Sequence, residues 1–216
     1  MCAFREKLFV NHLVIKNNMN KDWKKVEKVL MDGGVAVIPT DTIYGIVARA
    51  FDKRAVERVY SVRGRDEKKP CIILISDFDD LNKLGIKVNV LCDGIKALPF
   101  LRNNWPGQVS VILPCNLKKF EYLHRGTNTL AVRMIGSRNQ HLLNLIKKVG
   151  PIIAPSANPQ GLPPARNRKE SRKYFGNRVD AYVCYGTREG RPSTLVDLSK
   201  CKIEILRQGK TKIKHP

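Results

Sequence analysis

The stretch Val35-Ala36-Val37-Ile38 constrains the fold more than any other part of the chain. Four apolar residues follow one another with no polar residue between them, bounded by Gly33-Gly34 before and Pro39 after. A strand exposed on one face alternates apolar and polar residues, so an unbroken short run belongs to a strand covered on both faces. Pro39 is expected to stop it, and the polar loop Thr40-Asp41-Thr42 follows at once. Residues 71–75, Cys-Ile-Ile-Leu-Ile, repeat the pattern. Helical spacing precedes each run. Over 21–31, Trp23, Val26 and Leu30 share one face, Asn20 is the expected N-cap, and Gly33-Gly34 closes the helix. A second helix starts near Asp52 with Ala55, Val56, Val59 and Tyr60 in step, and leads into the basic segment 63–70.

Further along, weaker helices are expected over 78–84 and 90–100, and a stronger one over 139–149 with Ser137 as its cap and Gly150 as its end. Strands are expected over 109–113, 129–134, 152–154, 181–185, 194–197 and 203–206. Strands alternating with helices give an α/β sheet, and the later strands without long helices between them give mixed pairing. The expected fold is one α/β domain, with a twisted mixed sheet, over 1–216. No repeat, low-complexity block or Pro/Gly/Ser linker divides it.

A hydrophobic content of 43% excludes global disorder, and no apolar run approaches the roughly 18 residues of a membrane span. The first residues make a poor secretory signal, so the expected location is cytoplasmic, with no membrane partner. Six cysteines stand singly, without a C-x-x-C pair, and the four histidines show no ligand spacing, so neither a disulfide framework nor a metal site is expected. The charge is the unusual feature: 40 Lys and Arg against 19 Asp and Glu, a formal +21. Such a field attracts polyanions, nucleic acid or nucleotide; lysine-rich solvated faces are the alternative account of much of the excess.

The common nucleotide motifs are missing. Gly209-Lys210-Thr211 has the tail of a phosphate loop, but Glu204 stands where that loop requires glycine. No G-x-G-x-x-G follows a strand and no G-x-S-x-G occurs. What remains is a set of polar loops at strand ends: 39–45 with Thr40, Asp41, Thr42 and Tyr44; 105–110 with Gln108 and Ser110; and 153–159 with Ser156 and Asn158. Ligands of open α/β sheets collect beyond strand ends, so these loops are expected to converge. Taken singly, each is an ordinary turn.

Taken together, seven ordered segments resemble the YrdC/Sua5 family, the threonylcarbamoyl-adenylate synthases. They are 34–45 (Gly-Val-Ala-Val-Ile-Pro-Thr-Asp-Thr-Ile-Tyr-Gly), 60–65 (Tyr-Ser-Val-Arg-Gly-Arg), Trp105-Pro106-Gly107, Val132-Arg133, Pro155-Ser156-Ala157-Asn158 with Gly161, 193–197 (Ser-Thr-Leu-Val-Asp) and Arg207-Gln208-Gly209. The resemblance runs over 21–209 and is to the short, single-domain members. It implies a YrdC-like domain whose open sheet carries a basic concave pocket.

The resemblance also implies a reaction. L-threonine and bicarbonate-derived CO2 form a carbamate, which attacks the α-phosphorus of ATP and releases pyrophosphate. ATP enters as a substrate with Mg2+, held mainly by its phosphates and water. Threonylcarbamoyl transferase machinery then carries the group to adenosine 37 of tRNAs reading ANN codons. By resemblance, Thr40, Tyr44, Arg133, Ser156 and Ser193 hold threonine. Arg63, Arg65, Ser110, Asn158 and Arg207 face the nucleotide, with Arg63 and Arg65 catalytic. The residue types suit this on their own terms, because phosphates, a carboxylate and a carbamate crowded together need fixed cations. Positioning, more than a protein base, carries the catalysis; Asp41 is the one carboxylate considered for that role.

The chain departs from the family pattern at Arg63 (usually Lys), Asp66 (Pro), Gln108 (Pro), Gly136 (Pro) and Leu74, where some longer members have His. Two rival readings stand. An RNA-binding module, for tRNA or double-stranded RNA, would use the clusters Arg166-Asn167-Arg168-Lys169, Arg172-Lys173 and Lys210, Lys212, Lys214, but these lack interleaved aromatics. The related carbamoyl-adenylate domains of hydrogenase-maturation carbamoyltransferases sit in much larger proteins.

Overall fold

The computed structural model describes residues 19–88, 97–200 and 202–215. Its centre is a nine-stranded sheet in the order β7-β1-β2-β6-β3-β5-β4-β8-β9. The strands are β1 (Ala36–Pro39), β2 (Tyr44–Arg49), β3 (Ile73–Ile75), β4 (Val109–Pro114), β5 (Thr129–Met134), β6 (Ile152–Ile153), β7 (Ala181–Tyr182), β8 (Thr194–Asp197) and β9 (Glu204–Arg207). Pairing is mixed: β1–β7, β3–β5 and β4–β8 are parallel, and the other neighbours antiparallel. The helices are α1 (19–31), α2 (Lys53–Arg63), α3 (Asp79–Lys83), α4 (Ala97–Asn104), α5 (Glu121–His124), α6 (Gln140–Val149) and α7 (Arg168–Phe175). No helix among the described residues is long and apolar enough to cross a membrane.

The two faces of the sheet are covered unequally, and that asymmetry creates the site. Val37, Ile46, Ile73, Val111, Val132 and their alternates face one core, which α2, α4 and α5 close with Val56, Val59, Phe100 and Leu123. The opposite face is covered by α1 (Trp23, Val26, Leu30) and α6 (Leu142, Leu145, Ile146, Val149), which pack on Ile38, Val47, Leu74 and Ile152. This second core reaches β3 and stops. Leu74 of β3 pairs in register with Arg133 of β5, so the next residue on that face is a cation with no helix of the described residues above it.

Several expected boundaries shift. The end of the polar loop 39–45 opens a strand instead: β2 pairs antiparallel with the whole of β1, from Ala36 opposite Val47 to Pro39 opposite Tyr44. Pro39 is therefore the last residue of a strand and not its stop. Its position is tolerated because β1 ends at the turn, where Thr40 N–H bonds Ile43 C=O at 3.1 Å. Asn20 lies within α1 rather than capping it. Ser137 opens a 3-10 turn (Ser137–Asn139) ahead of α6, and neither that turn nor α6 receives a side-chain cap. Strand β7 is shorter than the expected 181–185, and β9 is offset to Glu204–Arg207. Of the expected helix over 90–100, residues 90–96 lie outside the described residues and the rest opens α4. Helix α7, in the basic stretch, had not been anticipated at all.

Candidate functional site

The uncovered half of the sheet floors a cavity of about 400 Å³. Ala131 and Arg133 of β5, Ile112 of β4, Leu195 of β8 and Arg207 of β9 form the floor. Those of β4, β5 and β8 share a face because each alternates with residues of the first core, as Arg133 does with Val132 and Met134.

One wall is the turn between β1 and β2. Thr40 organises it: its Oγ1 donates to Ile43 C=O at 2.6 Å and accepts from Thr42 N–H at 3.2 Å, and the two threonine hydroxyls lie 3.1 Å apart. The turn projects Asp41, whose Oδ1 accepts from Arg133 Nη2 at 2.8 Å. Both side chains of this ion pair are nearly out of water, 5% and 4% exposed. The Gln108 side-chain amide donates to Asp41 C=O, fixing the turn from a second side. Asp41 is thus the counter-ion of Arg133, which displaces the idea of Asp41 as a base.

From Arg133 the polar contacts run across the floor. Arg133 Nη1 donates to Ser110 Oγ at 3.3 Å, the Ser110 and Ser193 hydroxyls lie 2.8 Å apart, and Arg207 donates to Ser193 through Nη2 to Oγ at 3.3 Å and Nε to C=O at 3.1 Å. Partial burial, and then the charge of Arg133, lower the pKa of Arg207. Two like-charged groups held near each other and short of anions favour an incoming anion.

The opposite wall comes from the end of α2 and the loop after β6. Helix α2 begins at Asp52, whose carboxylate accepts from Ala55 N–H at 3.0 Å, and ends at Gly64 with φ 55°, a left-handed conformation that glycine adopts without cost. The turn delivers Arg63 inward and Arg65 to the cavity. Arg63 is 4% exposed. Its Nε donates to Asn158 C=O at 2.8 Å, and its Nη2 lies 3.3 Å from Ser156 Oγ and 3.4 Å from Asn158 Oδ1. Its Nη1 is buried with no partner among the described residues. Burial first, and the nearby Arg65 charge second, push the Arg63 pKa down to about 10. Arg65 is held by its own loop, Nε to Lys69 C=O and Nη2 to Pro70 C=O, both at 3.0 Å.

The cavity therefore gathers Thr40, Tyr44, Arg65, Arg133, Ser156, Ser193 and Arg207 from the sequence-derived set. Arg63, Ser110 and Asn158 stand just behind its surface. Ser110 is fully buried under the floor, and Asn158 spends its amide on Pro159 and Leu162 carbonyls while its Oδ1 faces Arg63. Tyr44 contributes its ring as wall: its hydroxyl donates to Gly186 C=O at 2.9 Å and accepts from Tyr185 N–H at 3.3 Å, and burial raises its pKa. Lys68 and Lys69 also line the cavity and were missed as site residues, although both sit in the basic segment that sequence reading had marked. With Arg65, Arg133 and Arg207 they make the lining cationic, and no carboxylate is among the described lining residues. A concave, strongly positive cleft that also offers hydroxyls suits a small ligand with several negative charges.

Fold and site together define an α/β domain with a cationic, hydroxyl-lined cavity on the uncovered half of a mixed sheet. A family model for Sua5, YciO and YrdC, described as "Telomere recombination", matches residues 28–209. The chain belongs to this family. It is similar to a threonylcarbamoyl-AMP synthase of Pyrococcus abyssi, 31% identical over 83% of this chain and 52% of that protein. A Coxiella burnetii protein of the same name is 30% identical over 71% of this chain and 79% of its own length. Among solved structures, P. abyssi Sua5 complexed with L-threonine superimposes with a TM-score of 0.73 at 30% identity, covering 85% of this chain and 53% of that one. Escherichia coli YciO shares the fold, with a TM-score of 0.74 at 23% identity over 89% and 91% of the two chains. The chain spans about half the length of the P. abyssi relative.

Proposed function

We propose that the chain is a threonylcarbamoyl-AMP synthase. It condenses L-threonine, bicarbonate or CO2, and ATP into threonylcarbamoyl-adenylate and pyrophosphate, feeding threonylcarbamoyl transfer to adenosine 37 of tRNAs that read ANN codons. The observation that carries the reading is the convergence of Arg65, Lys68, Lys69, Arg133 and Arg207 with the hydroxyls of Thr40, Ser156 and Ser193 on one cavity. The likeness to a relative solved with L-threonine supports it.

In this reading threonine lies at the Thr40, Ser156 and Ser193 side, with its carboxylate toward Arg133. The ATP phosphates lie along Arg65, Arg207 and the Lys68-Lys69 loop, with Arg63 and Asn158 supporting that wall. The chemistry brings carbamate oxygen to α-phosphorus with pyrophosphate leaving, so charge builds on the phosphoryl oxygens. Fixed guanidinium groups in a partly dehydrated cleft stabilise that charge without reorganising at the moment of reaction. Ser110 and Asp41 hold Ser193 and Arg133 in place. In this reading Mg2+ arrives with ATP, held mainly by the ATP phosphates and water.

The test is pyrophosphate release by purified full-length protein with ATP and Mg2+, measured with and without threonine and bicarbonate. Release that requires both supports the synthase. Folded protein that releases none under any combination overturns it.

A further inference from the structure

A second cleft, of about 400 Å³, opens on the α1–α6 side of the sheet. Its chemistry differs from that of the threonine-and-ATP cavity. Trp23 of α1 and His141 of α6 stack at one side, ring centroids 5.7 Å apart and 11° from parallel. Arg188 lies over the ring of the exposed Tyr185 at 5.0 Å, also in the lining. Arg138 stands in the turn before α6, and no carboxylate is among the described lining residues.

Two further observations point to a missing ligand. Trp23 is 8% exposed, yet its indole Nε1 is buried with no partner among the described residues, and the same is true of Arg188 Nε. A buried donor without an acceptor costs about as much as a lost hydrogen bond, so such groups in native structures ask for an explanation. Second, the ten-residue helix α6 starts at this cleft with no side-chain cap on it or on the turn before it. An uncapped helix start adds a partial positive charge to that of Arg138.

Flat rings, unsatisfied donors, two arginines and a helix start together describe a ligand that is planar at one end and anionic at the other. We propose that this cleft is a second nucleotide site. It takes a nucleoside phosphate, with the phosphate at Arg138 and the start of α6 and the base against the Tyr185–Arg188 pair and the Trp23–His141 edge. The ligand's source is a free nucleotide or one unit of a single strand, because the same groups recognise either.

The cleft also shares a wall with the first cavity. Tyr185 faces the second cleft while its backbone N–H bonds Tyr44 OH on the first. Segment 185–190 thus lies between the two.

The test is calorimetric titration of full-length protein with AMP and, separately, with single-stranded hexaadenylate, at physiological salt. Arg138→Ala and Tyr185→Ala are compared with wild type and with Arg65→Ala, which alters only the first cavity. AMP is expected to show two classes of site in wild type. Arg138→Ala should weaken one class about tenfold or more while Arg65→Ala spares it, the loss expected for one charged contact. If AMP shows that class and hexaadenylate does not, the source is free nucleotide. If hexaadenylate binds at least as tightly and is weakened by Tyr185→Ala, the source is a strand. A single class that only Arg65→Ala affects, with neither titration changed by Arg138→Ala or Tyr185→Ala, overturns the proposal. Failure of threonine-dependent pyrophosphate release would leave it standing, since the two clefts are assayed by different variants.

Discussion

Replacing Asp41 by Asn tests whether the ion pair beneath the cavity holds Arg133 in place. The perturbation is nearly isosteric: it removes the charge and keeps one acceptor for Arg133 Nη2, now 2.8 Å from the carboxylate. Both partners are at least 95% removed from water, so solvent screening is small, and the remaining cation has Arg207 as a like-charged neighbour. A charged hydrogen bond contributes about 1.5–3 kcal/mol and a neutral one about 0.5–1.5, so Asp41→Asn should cost about 1–2 kcal/mol. Asp41→Ala leaves the buried guanidinium with no counter-ion and should cost about 3–5 kcal/mol. Urea unfolding reads both as a lowered midpoint at constant slope, since the surface exposed on unfolding is unchanged. The double variant with Arg133→Met should be less destabilised than the sum of the singles by roughly 1–3 kcal/mol, because the second change removes the stranded charge. Additive losses, or an Asp41→Asn midpoint equal to wild type, would refute the argument that this pair is a coupled, desolvated unit.

Three other outcomes follow from the same geometry. Arg65→Ala should lower adenylate formation by about two to three orders of magnitude, with unchanged circular dichroism, if its guanidinium meets charge that develops on phosphate; full activity would remove Arg65 from the machinery. Asp180 accepts from Arg58 at 2.6 and 2.8 Å and from Val35 N–H at 2.8 Å, and the Arg58 hydrogen bond holds its pKa below the ordinary carboxylate range. A carboxylate depressed in the folded state stabilises above its unfolded pKa and loses that contribution as pH falls through the folded value. Wild type should therefore exceed Asp180→Asn in stability near neutral pH, and the gap should close below about pH 4; a gap independent of pH would contradict the pairing. A methyl group at Gly190 would run into the carbonyl of Thr42, so Gly190→Ala should displace segment 185–190 from the turn that walls the first cavity. Its expected signature is a stability loss of about 1–3 kcal/mol together with a raised KM for threonine, and an unchanged KM would show that the segment does not shape the pocket.

The parts of this fold that were legible in the sequence are those where one physical signal dominated. Val35–Ile38 and residues 73–75 are buried on both faces, and continuous apolar runs announced them. Helix α2 announced itself through Asp52 at its start and through the spacing of Ala55, Val56, Val59 and Tyr60. β2 stayed hidden because Tyr44 and Gly45 open it and Arg49 ends it, leaving an apolar run of only Ile46-Val47-Ala48, and its assignment depends on pairing with β1, a contact made through the Thr40 turn and not a local preference. α7 stayed hidden because only Ser171 and Phe175 of its eight residues are buried, leaving no apolar stripe. Its capping pair was nonetheless present: Asn167 Oδ1 accepts from Glu170 N–H at 2.9 Å, and Glu170 reaches back to Arg166 N–H at 2.8 Å. A search for N-caps followed three residues later by Glu would have found it.

The site shows a different division. Residue types at strand ends, together with family resemblance, marked Thr40, Arg65, Arg133, Ser156, Ser193 and Arg207, and the fold brings these to one cavity. What the sequence could not carry is which of the polar residues face a ligand and which face each other. Ser110 and Asn158 look as available in sequence as Ser193 and Ser156, yet Ser110 is fully buried against Ser193 and Arg133, and Asn158 is committed to its own loop and to Arg63. The distinction arises from the sheet itself: α1 and α6 cover one face only as far as Leu74, and Arg133, in register with Leu74, is the first side chain beyond their cover. A helix extending one strand further would bury Arg133 and Arg207 among apolar side chains, where desolvating two guanidinium groups with Asp41 as the one paired carboxylate would be strongly destabilising. The uncovered half of the sheet is therefore what allows these cations to be present at all, and their need for anions is what makes that half the candidate binding site.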